Sequence, residues 1–242
     1  MNQEEIFKLD AIADRHDTHA DFDGVLAHYS GVLIAEHIHG GLVLEAGCST
    51  GVMTPILLER ATELEVVEGS PRYAQSVRER FGNRLKMHMA LFEDFRPTRL
   101  YDTVVAASVL HHLTNPLSVT QRFATWLRPG GALHITVPNM TAFHRELGVE
   151  MGIAPTVAAT SERNRFFQQP GRFRRETLEQ LVRSAGFEIV QSEGFFFKPF
   201  PHDIMNRMTL SPEILRGLFH MGRRYPDLAC QLYVYARKPL SP

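Results

Sequence analysis

Cysteine is scarce in this chain of 242 residues: only Cys48 and Cys230 occur, far apart in sequence. Two such thiols cannot build a disulfide framework, and neither has the close spacing of a metal-ligand pair, so no metal is expected. An excess of charge of either sign is also lacking. Lys and Arg number 26 against 27 Asp and Glu, a net charge of −1. That balance leaves no electrostatic footprint for nucleic acid or an anionic membrane. No apolar run approaches the roughly 20 residues needed to span a bilayer. The first residues, Met1-Asn2-Gln3-Glu4-Glu5, lack the basic-then-apolar pattern of a secretory leader. Internal repeats and low-complexity tracts are missing too. These absences leave a reduced, cytoplasmic globular chain, a monomer or homodimer without nucleic-acid or membrane partners. With 44% apolar and 22% charged residues, it has enough to bury a sizeable core and fits a single domain over 1–242.

What is present concentrates in Leu42-Val43-Leu44-Glu45-Ala46-Gly47-Cys48-Ser49-Thr50-Gly51. A short apolar run reads as a buried parallel strand. Glycines directly after it allow a tight turn and a close backbone approach to a ligand. The pattern is acid-x-Gly-x-x-x-Gly. The dinucleotide fingerprint Gly-x-Gly-x-x-Gly would need glycine at Glu45 and Thr50, so a nicotinamide dehydrogenase is disfavoured. Glu45 at the strand end would repel a pyrophosphate. It suits a ligand with an ammonium group and no phosphate, and S-adenosylmethionine is such a ligand.

Three later segments follow in order. Leu64-Glu65-Val66-Val67-Glu68 ends in an acid and leads into Gly69-Ser70-Pro71. Tyr101 to Ala107 leads into Ser108-Val109-Leu110-His111-His112-Leu113. Trp126-Leu127-Arg128-Pro129-Gly130-Gly131 precedes an apolar run from Ala132 to Pro138. With the glycine loop, these motifs resemble the class I S-adenosylmethionine-dependent methyltransferases, in particular bacterial members acting on small molecules. The resemblance covers roughly residues 42 to 138. It implies an α/β fold with a doubly wound, mostly parallel seven-stranded sheet of Rossmann-like type, its last two strands forming an antiparallel edge. It implies S-adenosylmethionine as cofactor, held by Gly47, Cys48 and Gly51. Glu68, with Gly69 beside it, would accept hydrogen bonds from the ribose hydroxyls, and Glu45 would orient the methionine end through water or loop amides. The family's adenine-binding aspartate is replaced: its place falls near Ala90-Leu91-Phe92, leaving the Phe92 amide and Glu93 as candidates.

The chain divides further. Residues 1–40 read as a helical cap, 41–138 as the cofactor core, and 139–174 and 198–228 as substrate-side lid insertions. Helices are expected at 52–61, from Pro71 to Phe81, from Pro116 to about Leu127, at 141–147, 176–184 and 213–222. Strands are expected at 85–89, 187–197 and 229–237. The stretch 139–174 is expected to be a mobile lid, because loops this long are usually functional. In open α/β sheets ligands bind at the carboxyl ends of the strands, so Glu45, Glu68 and the segment Ser108 to His112 converge.

Methyl transfer to a hydroxyl benefits from a base. His111 and His112 follow the fourth strand, and an imidazole titrates near neutrality. His144 and His202 are rivals. Tyr29 and Ser108 are candidate cofactor contacts. Arg163, Arg165, Arg172, Arg174 and Arg175 lie around Phe166, Phe167 and Phe173, either as a solvated lid or as a wall for an anionic substrate. Phe195, Phe196 and Phe197, with Phe200, are either core or an acceptor wall. The leading expectation is methyl transfer to an oxygen or nitrogen of a small molecule, a sugar or secondary-metabolite intermediate. An RNA or protein methyltransferase, or a cofactor-binding protein without catalysis, stays open.

Overall fold

A computed structural model describes residues 3–240; Met1, Asn2, Ser241 and Pro242, the ends of the expected domain, lie outside the described residues. Seven strands form one sheet: β1 Leu42–Ala46, β2 Glu63–Glu68, β3 Lys86–Met89, β4 Tyr101–Ala107, β5 Leu127–Pro138, β6 Glu188–Phe195 and β7 Gln231–Arg237. Their order across the sheet is β3-β2-β1-β4-β5-β7-β6. Strands β1 to β5 pair in parallel, and β7 runs antiparallel between β5 and β6. Ten helices, α1 Gln3–Ala13, α2 Phe22–Ala35, α3 Thr54–Arg60, α4 Pro71–Phe81, α5 Pro116–Trp126, α6 Phe143–Glu150, α7 Glu162–Phe166, α8 Arg175–Ser184, α9 His202–Met205 and α10 Pro212–Arg224, flank the sheet among the described residues.

The reason for the layering lies in the strands. All five residues of β1 are buried, as a central strand covered on both faces requires. Alternate side chains go to opposite sides. Val43 joins a cluster with Leu26, Leu33 and Phe195, and Leu42 and Leu44 join one with Phe123, Leu133 and Val182. Helix starts follow local chemistry. Ser70 and Asn115 accept from the Tyr73 and Ser118 amides, and Pro71 and Pro116 occupy first-turn positions where a missing N–H is harmless.

Two expectations are corrected. The segment Leu127 to Gly131, expected only to precede the apolar run from Ala132, is itself part of β5, because Leu127 pairs with Tyr101 ahead of a register shift. The strand expected over 187–197 stops at Phe195, because Phe196 takes a left-handed φ of 61°. Phe195 and Phe196 therefore do not alternate between faces. Both are fully buried, and the Gly222 position of α10 sits directly on their backbone, where a Cβ would meet the Phe196 nitrogen at 2.1 Å.

One consequence of the order bears on the site. Because β7 is reversed, its first residue, Gln231, stands at the same end of the sheet as the last residues of β1, β2, β4, β5 and β6. No helix among the described residues is long and apolar enough to cross a membrane.

Candidate active site

A cleft of about 1310 Å³ opens at the carboxyl ends of the strands. Its floor is the turn after β1. Gly47 and Gly51 have φ values of 81° and 73°, in the region glycine alone enters freely. A Cβ on Gly47 would approach Val109 Cγ2 to 2.9 Å, so the β4 loop packs against the bare backbone. Two cleft-lining non-glycine residues share this strained geometry, Ser49 at φ 48° and Ser108 at φ 55°. Such conformations cost about 1–3 kcal/mol each and persist where the surroundings enforce them. At Ser108 the enforcement is visible: its amide donates to the Thr136 carbonyl at 2.8 Å.

The two acids divide their work differently from expectation. The loop amides go to Glu68, not Glu45: Cys48 N and Ser49 N donate to Glu68 Oε2 at 3.0 and 3.2 Å, and Ser70 N donates to Oε1 at 2.9 Å. Oε1 keeps capacity for a further donor. Glu45 instead accepts from the Thr54 hydroxyl at 2.8 Å, at the start of α3. Its other oxygen, Oε1, is buried without a partner. Burial pushes the Glu45 carboxyl up to about 8, with the nearby Glu68 charge adding to the effect. A buried acid with an orphaned oxygen fits a cationic ligand, whose charge would favour the ionised form. The loop and both acids therefore fit a nucleoside bearing an ammonium and a sulfonium group.

Gly69 is bare for a packing reason: a Cβ there would meet Leu9 Cδ1 of α1 at 2.8 Å. Helix α1 thereby roofs the loop after β2, and Leu9 and Ile12 reach the cleft. On the far side Phe92 and Glu93 line it, with the loop pinned by Arg122, whose Nε donates to the Phe92 carbonyl at 3.0 Å. Cys48 is buried, and its thiol approaches Glu68 Oε2 at 3.7 Å. Gly51 shapes the turn without lining the cleft. Tyr29 is placed elsewhere: its ring stacks on Phe219 at 4.9 Å, inside the core, and is not part of the wall. No side chain of Phe195, Phe196, Phe197 or Phe200 lines the cleft either, so the first two serve the core.

All four candidate base histidines, His111, His112, His144 and His202, reach the cleft. His111 and His112 sit in a 3-10 turn after β4, their rings 4.2 Å apart. His111 is buried beneath Gly171, whose amide donates to the His111 carbonyl, and its Nδ1 has no partner. His112 Nδ1 lies 3.0 Å from the Phe167 carbonyl. A carbonyl can only accept, so Nδ1 carries the proton and Nε2 keeps its lone pair. Burial lowers both imidazoles below their ordinary value, His111 strongly. His144 is likewise lowered by burial and by the Lys198 charge, and its Nδ1 lacks a partner.

The arginines are mostly occupied. Arg163 pairs with Asp21 and Asp23 and lies over the Phe167 ring, and Arg175 pairs with Asp227. Arg172 donates to the Gln169 and Gly171 carbonyls. Arg165 donates to the Thr160 carbonyl, and Arg174 precedes α8. The Asp21, Asp23 and His202 side chains have ligand atoms within 4.8 Å of one another. Arg163 already pairs with both carboxylates of that group. His202 lines the cleft and donates from Nε2 to Asp21 Oδ1. Sequence reasoning missed Lys198 and Arg145, which both line the cleft. A lone lysine after three phenylalanines was the available signal for Lys198.

A family model described as a methyltransferase domain matches residues 21–192. The human mitochondrial ubiquinone biosynthesis O-methyltransferase is 26% identical over 171 residues, 66% of this chain and 45% of that protein. Trans-aconitate 2-methyltransferase of Methylobacterium radiotolerans is 29% identical over 125 residues, 50% of this chain and 48% of that protein. The chain thus spans about half the length of these curated relatives. Among solved structures, the 1,6-didemethyltoxoflavin-N1-methyltransferase of Burkholderia thailandensis, holding S-adenosylhomocysteine, superposes with a TM-score of 0.61 at 19% identity. That match covers 98% of this chain and 89% of the other. The matched span contains the glycine loop, Glu45, Glu68 and the histidine turn, and the chain belongs to the methyltransferase domain family, as a class I member whose cofactor is S-adenosylmethionine.

Proposed function

We propose that the chain transfers a methyl group from S-adenosylmethionine to an oxygen of a small molecule, with His112 as the base. One observation carries this reading. The glycine loop and the histidine turn open into a single cleft of about 1310 Å³, room for a nucleoside and a second small molecule side by side, since pockets for one drug-sized ligand run to about 300–1,000 Å³.

The cofactor supplies an electrophilic methyl group on a positively charged sulfur. Glu45 holds the ammonium-bearing end, losing its proton as that charge arrives. Glu68 braces the loop through the Cys48 and Ser49 amides and offers Oε1 to the ribose. Glu93 and the Phe92 amide border the base. Helix α1 and the insertions 139–174 and 198–228 keep water from the reacting atoms. His112 Nε2 would take the acceptor hydroxyl's proton as the oxygen–carbon bond forms and the sulfur–carbon bond breaks, the neutral thioether leaving, while Nδ1 stays anchored on the Phe167 carbonyl. His111 packs beneath it and holds the turn in place.

A sugar or secondary-metabolite hydroxyl is the acceptor class in view; a free amine needs no base and would make His112 dispensable. The test is transfer of label from methyl-labelled S-adenosylmethionine into small molecules, RNA and protein separated after reaction in a cell extract. Label in the small-molecule fraction is expected. Label confined to RNA or protein would overturn the reading.

A further inference from the structure

The acceptor side of the cleft holds a buried lysine that makes no direct ion pair among the described residues. Lys198 follows β6, lines the cleft and is only 6% exposed. Its one polar neighbour among the described residues is His202 Nδ1, 3.5 Å away. His202 donates from Nε2 to Asp21, and an imidazole ring brings no negative charge to Lys198. Asp23, the carboxylate whose charge favours the Lys198 ammonium, is paired with Arg163, and Asp21 is paired with Arg163 and His202. Arg145, at the start of α6, lines the same wall, and its guanidinium meets only neutral oxygens, the Val157 carbonyl at 2.6 Å and Asn164 Oδ1 at 3.5 Å. Gln231 also lines the cleft, buried with its Oε1 unpartnered, and His144, within reach of the Lys198 and Arg145 charges, has an unpartnered Nδ1.

Burying charge without a counter-charge is strongly unfavourable, and the group is then neutralised or paired. The first outcome leaves its mark here. Burial lowers the Lys198 ammonium, and the charges of Arg163 and Arg145 add to the effect against opposing influences from Cys230 and Asp23. Arg145 is lowered too, by burial first and then by Arg172. An anion between the two would satisfy both at once. A half-turn of the Gln231 amide would bring its NH₂ to the same place.

We propose that Lys198 and Arg145, with Gln231 and His144, form the binding site for a carboxylate on the acceptor molecule. This rests on the methyltransferase reading above and narrows it. The carboxylate is the handle, and the hydroxyl facing His112 is the methylated group.

The test uses the full chain loaded with S-adenosylhomocysteine and titrates two matched pairs of probes, 4-hydroxybenzoate against 4-hydroxybenzamide and trans-aconitate against its triamide. At least one acid is expected to bind ten times or more tighter than its amide. Lys198→Met is expected to erase that preference without weakening S-adenosylhomocysteine binding. Its melting temperature should not fall, because an uncompensated charge has been removed. Arg145→Met, at a half-buried position, should reduce the preference in the same direction. If no acid is preferred over its amide, or if both variants keep the preference, the carboxylate site is wrong. The heat of S-adenosylhomocysteine binding reports separately on the methyltransferase reading: a chain that binds it yet favours neutral probes keeps that reading and loses this one.

Discussion

Glu68 and Cys48 are joined twice, through the Cys48 amide at 3.0 Å and through its thiol at 3.7 Å, both on Glu68 Oε2. The acid at the tip of β2 is thus a structural part of the turn after β1. Its loss acts on the ligand and on the shape of the loop together.

Glu68→Ala should weaken S-adenosylhomocysteine binding by about 1–3 kcal/mol, the range for lost hydrogen bonds to a charged group. Calorimetric titration measures it. Glu68→Gln should recover part of the loss, since the amide oxygen can still accept from one loop N–H. Binding unchanged in Glu68→Ala would remove Glu68 from the ribose.

Glu45 links binding and stability to pH. Its folded pKa is about 8 against an ordinary 4.5, so between those values the folded state holds the extra proton. Stability from this group is therefore full at low pH and declines as pH rises through the window, at no more than about 1.4 kcal/mol per pH unit. Glu45→Gln should flatten that decline in urea titrations from pH 5 to 8. In the unaltered chain, S-adenosylhomocysteine binding at pH 7 should release a proton, seen as a heat that varies with buffer ionisation. Glu45→Gln should release none.

His112→Asn should lower turnover by roughly 10²–10⁴-fold, the usual range for a general base, while leaving cofactor affinity intact. Because burial lowers the imidazole, the acid limb of kcat/KM should lie below the ordinary histidine value near 6.5. Equal losses of turnover and cofactor binding, with a depressed melting temperature, would mark His112 as structural.

Gly47→Ala should destabilise the protein twice over, by contact with Val109 and by the φ of 81°. Adding Val109→Ala should return only the contact part. A residual loss of about 1–2 kcal/mol should remain, the conformational penalty of an L-residue in left-handed backbone. Denaturant unfolding of the two single variants and the double variant separates the parts.

The cofactor half of the site was readable because its signals are local. Gly47, Gly51 and Glu68 stand at strand ends, where backbone requirements restrict residue type. Which acid takes the loop amides was not readable, since that depends on how β1 and β2 sit side by side. The acceptor half was harder still. Phe195 to Phe197 reads as a continuing strand, and nothing in those residues announces that Phe196 turns over. That turn is imposed by distant pieces, the Cys230 amide donating to the Phe196 carbonyl and Gly222 pressing on the backbone. Lys198 enters the cleft only because of them. Tyr29 misled for a similar reason: helical spacing put it on an inward face, and the inward face there meets Phe219 and Phe196.

The reversed strand β7 separates responsibilities along the rim of the sheet. Gln231 and Lys198 come from the β7 and β6 side, while Glu45, Glu68 and the bare turn come from β1 and β2, with β4 and β5 standing between. On the proposed reading, replacements that retune acceptor preference would fall on one flank and leave the donor-binding flank untouched. The fold is in this sense a fixed methyl supply with an exchangeable socket.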